Sequence, residues 1–160
     1  MAEGARVGSV VMFVQDLDRS VNFYADVLVL EVADRSPTAA LLSNSAGTGL
    51  ILRAMGRGAP HPLGSVGVQY VFWTAAGEED LARAERALTA RGVHRETRSH
   101  SGVTLVEGRD PDGIAVMICY PGPDQRPVRE LPPGSTVGEL PSAVSLAGRA
   151  LIGLTGARTP

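Results

Sequence analysis

The sequence predicts an α+β protein made of two βαβββ modules, followed by a Pro-rich C-terminal tail. Short β-branched apolar runs and segments with helical spacing alternate in one order, and that order occurs twice. The chain has 160 residues, 44% apolar and 20% charged, which suits two half-domains sharing a core. We place the first module at residues 1–55, a linker at 56–66, the second module at 67–121 and an extension at 122–160.

The first module opens with VGSVVMFV (residues 7–14), whose short apolar pattern is typical of a buried strand. Asp16 follows and can cap a helix through its carboxylate. An apolar face at helical spacing then predicts that helix, and it consists of Leu17, Val21, Tyr24 and Leu28. The runs LEVADR, TAALLSN and GLILRAM predict three strands, separated by turns at Pro37 and SAGTG.

The second module repeats this order after the Gly- and Pro-rich linker. VGVQYVFWT predicts a strand, and the acidic residues 78–80 favour a helix N-terminus through charge–dipole attraction. Gly92 can end the helix in the left-handed conformation. VHRETRS, GVTLVEG and IAVMICY predict three further strands. Strands, one helix and three strands, occurring twice, indicate an α+β domain.

The C-terminal extension has a different composition. Its first part, PGPDQRPVRELPPG, is Pro-rich, which predicts extended backbone. A later stretch has an apolar stripe at helical spacing, formed by Val144, Ala147, Leu151 and Leu154. A docked short helix and a mobile tail both remain open for this segment.

Composition also limits the partners. The net charge is −2 with no basic patch, and aromatic residues make up only 4%, so we expect no nucleic-acid binding. Cys119 is the only cysteine, which excludes an internal disulfide. No apolar run reaches the roughly 18 residues of a membrane-spanning candidate, and no leader pattern opens the chain. We therefore expect a soluble, cytoplasmic protein without a membrane partner.

Two motifs carry a family resemblance. VVMFVQDLDRSVNFYADVLVLEV resembles the start of a vicinal oxygen chelate module, and GRDPDGIAVMICY resembles its last hairpin. That superfamily contains glyoxalases, extradiol dioxygenases, epimerases and bleomycin-type resistance proteins. The resemblance covers about residues 6–120 and implies sheets that curve round a central cleft. It implies less about function, because one fold hosts many activities.

The resemblance implies positions for a metal site, but the residues there are unusual. Metal-dependent members place His on the first strand of a module and Glu on the last. Here the first-strand positions fall on Ser9 and Gln69, and the last-strand carboxylate on Met117. The remaining position falls on Ile51 or Arg53. A neutral hydroxyl, an amide and a thioether suit neither zinc nor harder divalent metals, so we expect no metal and no cofactor.

Strand alternation predicts the side chains that line the cleft. On the first strand one face carries Ser9, Val11 and Phe13, and the family pattern turns this face to the cleft. Applied to all cleft strands, this reasoning gives a ligand-binding set of Ser9, Val11, Phe13, Arg53, Gln69, Val71, Trp73, Met117 and Cys119. Such an apolar pocket suits an aromatic or polycyclic small molecule. The competing interpretation is that Trp73, Met117 and Cys119 simply fill the core.

These observations favour a metal-independent small-molecule binding protein, similar to resistance proteins that sequester an antibiotic. We predict a homodimer, because resistance-type members build each cleft from both chains. We assign no catalytic residue. The alternative is a lyase, isomerase or dioxygenase-like enzyme with an atypical site, for which Glu107, on a strand expected near an edge, His100 and Arg53 are candidates. A third possibility is an interaction module with a vestigial cleft.

The end of the first helix departs from the family pattern. Members usually have glycine there, whereas this chain has Val29 in DVLVLEV. A β-branched residue resists positive φ. We therefore expect either a different helix end or a strained backbone at this residue. The three histidines, at positions 61, 94 and 100, are predicted to lie on the surface.

Overall fold

The computed structural model of the chain describes residues 5, 7–58, 71–100 and 102–122. The first module consists of β1 (Val10–Val14), α1 (Leu17–Leu28), β2 (Glu31–Arg35), β3 (Ala39–Ser43) and β4 (Gly49–Ala54). The second consists of β5 (Phe72–Thr74), α2 (Glu78–Ala90), β6 (His94–His100), β7 (Val103–Arg109) and β8 (Ala115–Tyr120). The predicted repeat of βαβββ is confirmed. Most of the predicted linker, with His61, and nearly all of the C-terminal extension lie outside the described residues.

Each module forms one four-stranded sheet. The strand order is β1-β4-β3-β2 in the first sheet and β5-β8-β7-β6 in the second. In both sheets the module's first strand runs parallel to its last, and the other neighbours are antiparallel. β7 lies between β8 and the edge strand β6, so Glu107 is on an inner strand that is one strand away from the sheet edge. Within the described residues neither helix is long and apolar enough to cross a membrane.

The helix-facing sides of both sheets share one core. Val14 of β1 and Leu52 of β4 pack there with Tyr24 of α1, and Leu88 of α2 and Ile118 of β8 join the same cluster. Fully burying an apolar side chain contributes roughly 1.5–3 kcal/mol, so this cluster holds the two modules together. The opposite side of each sheet, here called its distal face, is turned away from the helices and from this core.

Arg83 of α2 and Arg91, which follows α2, also hold the C-terminal end of α1. The guanidinium of Arg83 donates to the backbone carbonyls of Asp26 and Val27 at 2.9 and 3.1 Å. Arg91 donates from Nε and Nη2 to the Asp26 carboxylate at 3.1 and 2.8 Å. The last carbonyls of a helix have no partner within the helix, so these contacts satisfy them and fix α1 against α2.

Both helices end in a left-handed turn, which is formed by Val29 after α1 and by Gly92 after α2. Asp16 caps the start of α1 as predicted, accepting from the Arg19 N–H at 3.0 Å. At its end Val29 has φ 52° and ψ 54°, and Leu30 N–H donates to the Ala25 carbonyl at 3.1 Å. The matching residue of α2 is Gly92, with φ 69°. The backbone at Val29 is therefore strained, which settles the alternatives that the sequence leaves open.

Replacing Val29 by glycine should stabilise the protein. The left-handed conformation costs an L-residue roughly 1–2 kcal/mol, part of which is offset by the extra freedom of glycine in the unfolded chain. Val29 is 56% exposed, so little packing is lost. We expect Val29→Gly to raise the free energy of unfolding by about 1 kcal/mol in urea denaturation. The matched change Gly92→Val should lower it, and a Val29→Gly protein less stable than wild type would contradict the strain.

The Asp-Pro-Asp-Gly turn before β8 links the modules through buried hydrogen bonds. The hydroxyl of Tyr24 donates to Asp110 Oδ2 at 2.9 Å, and Asp110 Oδ1 accepts from the backbone N–H groups of Asp112 and Ile114. Asp112 Oδ2 accepts from the Gln15 N–H at 3.0 Å. The two aspartates thus form the turn, as the sequence indicates, and Asp110 also anchors α1 of the other module.

Candidate functional site

The distal face of the first sheet is open and largely apolar. Val11 is 55% exposed and Phe13 60% exposed, and these residues pair with Ile51 and Arg53 of β4. Ser9 precedes β1 at the same alternation and is exposed. The structure therefore brings together the predicted residues Ser9, Val11, Phe13 and Arg53. Val10, Met12 and Val14 face the helix side, as predicted.

The distal face of the second sheet carries the predicted residues Met117 and Cys119. They are 2% and 3% exposed and form a small cluster with Val103 and Leu105 of β7. Met117 pairs with Phe72 of β5 on one side and with Glu107 of β7 on the other. Phe72, Met117 and Glu107 therefore lie in one row across three strands.

Trp73 does not belong to this face, which corrects the sequence prediction. It pairs with Ile118 and packs on the core shared by the helices, one residue out of step with Met117. Val71, two residues earlier, is half-buried just before β5, and Gln69 lies outside the described residues. The aromatic residue on the distal face is Phe72.

The helix N-caps explain the error of one residue. Asp16 caps α1 and Gly77 caps α2. Ser9 precedes Asp16 by seven positions, and seven positions before Gly77 is residue 70, which the structure does not describe. The equivalent of Val11 is then Phe72. A slip of one residue moves every side chain of a strand to the other face.

A polar band crosses the distal face of the second sheet beside Met117. Arg109 Nη2 donates to Glu107 Oε1 at 3.3 Å, and the side chains are 21% and 7% exposed. On β6, Glu96 pairs with Glu107, and Arg98 lies 3.8 Å from the Glu96 carboxylate. Sequence reasoning missed Arg109 and treated Glu107 only as an enzyme candidate. The signal was present, because Val103, Leu105, Glu107 and Arg109 alternate on one face of β7.

The other enzyme candidates do not lie beside Glu107 in the sheets. His100 pairs with Val103 at the far end of β7, and Arg53 belongs to the first sheet. His94 lies away from the distal face. Its Nε2 is 2.8 Å from Thr97 Oγ1 and 3.7 Å from Glu85 Oε1. Within the described residues, Glu107 and Arg109 are thus the ionisable pair beside Met117.

A concave region lies between the modules. This groove has a volume of about 810 Å³ and contains Ser9, Val29, Val71, Trp73 and Arg83 in its walls. Three of the predicted ligand-binding residues, Ser9, Val71 and Trp73, therefore meet here rather than on the distal face of the second sheet. The predicted set is divided between two sheets and this groove.

The family model of the Glyoxalase/Bleomycin resistance protein/Dioxygenase superfamily matches residues 6–118. The chain belongs to this superfamily. The resemblance inferred from the two sequence motifs is therefore confirmed, and it covers both modules and stops before the C-terminal extension.

Similar solved structures support the same fold. A glyoxylase/bleomycin resistance protein/dioxygenase domain from Frankia sp. EAN1pec has a TM-score of 0.64 and 22% identity, covering 73% of this chain and 98% of that one. A lactoylglutathione lyase from Agrobacterium tumefaciens has a TM-score of 0.56 and 21% identity over 73% and 94%. The oxidase ChaP-H2 has 0.59 and 18% over 75% and 96%. A search of the curated proteins gave no match.

The residues of this chain at the superfamily's metal-ligand positions are not suitable ligands for a divalent metal. The carboxylate position holds Met117, a soft thioether that is 2% exposed beside Leu105 and Cys119. Ser9 offers a neutral hydroxyl from the first sheet. In the described residues no three His, Cys, Asp or Glu side chains are grouped to hold a metal. Zinc, iron and manganese require imidazole, thiolate or carboxylate ligands, which Ser9 and Met117 do not supply.

Proposed function

We propose that the protein binds a flat aromatic or polycyclic small molecule without a metal, as in resistance by sequestration of an antibiotic. The observation that carries this proposal is Met117 at the family's carboxylate position, in a row with Phe72 on an apolar face. Phe72 offers a surface for stacking, and the unbranched thioether of Met117 adapts its shape to a ligand. An apolar site with a few polar groups at one side is typical of small-molecule pockets.

A flat fluorescent tricycle, N-methylacridone, tests this proposal. We expect saturable binding that persists after treatment with EDTA. Phe72→Ala should weaken binding about 2- to 12-fold, the loss of roughly 0.5–1.5 kcal/mol of stacking. Val29→Asn, in the groove between the modules, should leave affinity unchanged. Phe72 also lines the groove between the modules, so binding that responds to Val29→Asn would place the ligand in that groove and contradict the proposal, as would binding that disappears with EDTA.

We also propose that the binding unit is a homodimer. The helix-facing sides of both sheets share one core, so the distal faces cannot close on each other across the helices of one chain. Val11 and Phe13 would remain exposed in a monomer, and an apolar surface of this kind is typical of an interface. A second copy that places its second sheet against this face would complete the cleft by two-fold symmetry.

Charge placed on the open face should separate the subunits. We expect wild-type protein to sediment as a dimer, and Phe13→Asp to sediment as a folded monomer because it places a charge in an apolar interface. Arg86→Gln on the exposed side of α2 serves as the control, and circular dichroism checks the fold. A wild-type monomer at every concentration tested would refute the dimer.

An enzyme of the same fold is the second candidate, and Glu107 is the observation that favours it. A nearly buried carboxylate beside a proposed ligand site is a candidate acid or base. The solved relatives include a lyase and an oxidase. If the protein turns over a ligand, Glu107→Gln should abolish turnover and retain binding. Turnover that survives this change would remove Glu107 from the chemistry.

A further inference from the structure

The Glu107–Arg109 pair is unusual because Glu107 is almost inaccessible, with Met117 on one side and a second carboxylate, Glu96, on the other. The residue is 5% exposed and lies between Met117 and the β6 strand. Among the described residues, its side chain makes a single hydrogen bond, from Arg109 Nη2 at 3.3 Å. A carboxylate loses most of its hydration on burial, and one long contact compensates for little of it. A contribution to folding stability therefore does not explain why a carboxylate occupies this position.

The pair presents a defined pattern of hydrogen-bonding groups. Arg109 is the more exposed partner, at 21% against 7%, so the pair is approached from its side. A guanidinium has five N–H donors, and a carboxylate has two acceptor oxygens. One bond joins the two groups, which leaves donors of Arg109 next to an acceptor of Glu107. Ala115, paired with Arg109, is small and leaves room beside them.

We infer that the ligand is a planar ring system with a hydrogen-bond donor and an acceptor on adjacent atoms of one edge, as in a lactam. The ligand's N–H donates to Glu107, and its carbonyl accepts from Arg109. This inference rests on the proposed binding function and specifies its ligand class. A ligand carboxylate would lie beside the Glu107 carboxylate and a ligand ammonium beside the Arg109 guanidinium, so either charge would be repelled by one member of the pair.

The row across the sheet also favours more than one ring. Phe72, Met117 and Glu107 lie on three neighbouring strands, so the row spans roughly 10 Å, two strand spacings. A single ring cannot stack on Phe72 and also reach Glu107. A polycyclic lactam spans this distance from Phe72, and its polar edge meets the pair.

Phenanthridinone and N-methylphenanthridinone provide a matched test, since they differ only at the donor. Full-length wild-type protein should bind phenanthridinone at least about 10-fold more tightly, the effect of one hydrogen bond to a charged group. Glu107→Gln and Arg109→Gln should each reduce this preference, and Arg109→Lys should reduce it because it loses the planar fork. Arg86→Gln on α2 should keep the full preference. Urea denaturation shows that each variant is folded.

The wild-type comparison decides the inference without any variant. Equal affinity for the two lactams would overturn the inference and leave the proposed binding function intact. Tighter binding of phenanthrene carboxylate than of phenanthridinone would overturn it in favour of a simple cationic site. Failure to bind either lactam or N-methylacridone would reject the proposed function, and the inference with it.

Discussion

Replacing Asp110 by alanine should lower the free energy of unfolding by about 3 kcal/mol or more, since each buried group left without its partner costs about 1–3 kcal/mol. Asp110 is 3% exposed and accepts from the Tyr24 hydroxyl and from two backbone N–H groups. Alanine leaves the hydroxyl of Tyr24, itself fully buried, without an acceptor. Urea denaturation measures the loss. Asp16→Ala, which removes an exposed helix cap, should cost only about 1 kcal/mol.

The charge of Asp110 also gives stability a pH dependence. Burial raises the pKa of Asp110 above 3.8, outweighing the hydrogen bonds from Ile114, Tyr24 and Asp112 that lower it. The folded protein then keeps this proton to higher pH than the unfolded chain. Between 3.8 and the raised pKa the folded state binds more protons, so the contribution of Asp110 to stability is full below 3.8 and falls as pH rises through that window.

Asp110→Asn isolates that contribution. Its carbonyl can still accept from Asp112 and Ile114, and its amide can donate to the Tyr24 oxygen. We expect the stability of Asp110→Asn relative to wild type to improve as pH rises from below 3.8 to neutral. Denaturation curves at matched ionic strength measure the difference. A difference that stays constant with pH, or an Asp110→Ala protein as stable as wild type, would show that this link between the modules contributes little.

The sequence predicts local features of the fold because their signals are local. Asp16 and Gly92 mark helix ends through their own backbone preferences, and both predictions hold. The alternation of β1 could be counted from Asp16, so the helix-facing and distal residues of that strand are correct. Val29 shows the limit of such local signals. The sequence shows that valine conflicts with a positive φ, but it does not determine whether the helix ends in a different way or the backbone is strained.

The face of β5 could not be predicted because its sequence has no alternation. The stretch VQYVFWT has apolar residues at both alternating sets of positions, and Phe72 and Trp73, on opposite faces of β5, are each half-buried. A strand of this kind lacks the period-two pattern that fixes register. The alternation counted from Gln69 therefore placed Trp73 on the wrong face of the strand. The position of the α2 cap at Gly77 was the available signal, and it gives the observed register.

The role of Glu107 depends on sheet order, which is not a local property. β8 inserts between β5 and β7, so β7 becomes an inner strand and Glu107 lies directly beside Met117. In the sequence these residues are on consecutive strands of a hairpin, but the burial of the pair depends on β5 and β6 as well. The alternation of β7 predicts a shared face for Leu105, Glu107 and Arg109, and the sheet determines how buried that face is.

Restoring the family's carboxylate by Met117→Glu should destabilise the protein by about 3–5 kcal/mol at neutral pH, the usual penalty for an uncompensated buried charge. Met117 is 2% exposed, and its direct neighbour across β7 is Glu107. Side chains at such paired positions are about 5 Å apart at Cβ, so two carboxylates would repel each other as well as lose hydration. Met117→Leu, of similar volume, should cost less than about 1.5 kcal/mol.

Acid should reverse this penalty, and added metal should not. Burial and the Glu107 charge would raise the pKa of the new carboxyl above the ordinary value of about 4.3, so the folded state would take up a proton that the unfolded chain releases. The loss of stability is then complete above the raised pKa and diminishes as pH falls towards the ordinary value.

Urea denaturation with EDTA or with added Mn²⁺ completes the test. We expect the two curves to coincide, because two adjacent carboxylates without imidazole ligands do not form the site of the metal-dependent members. A clear rise in stability with Mn²⁺ would contradict this expectation and would show that the site lacks only this one ligand.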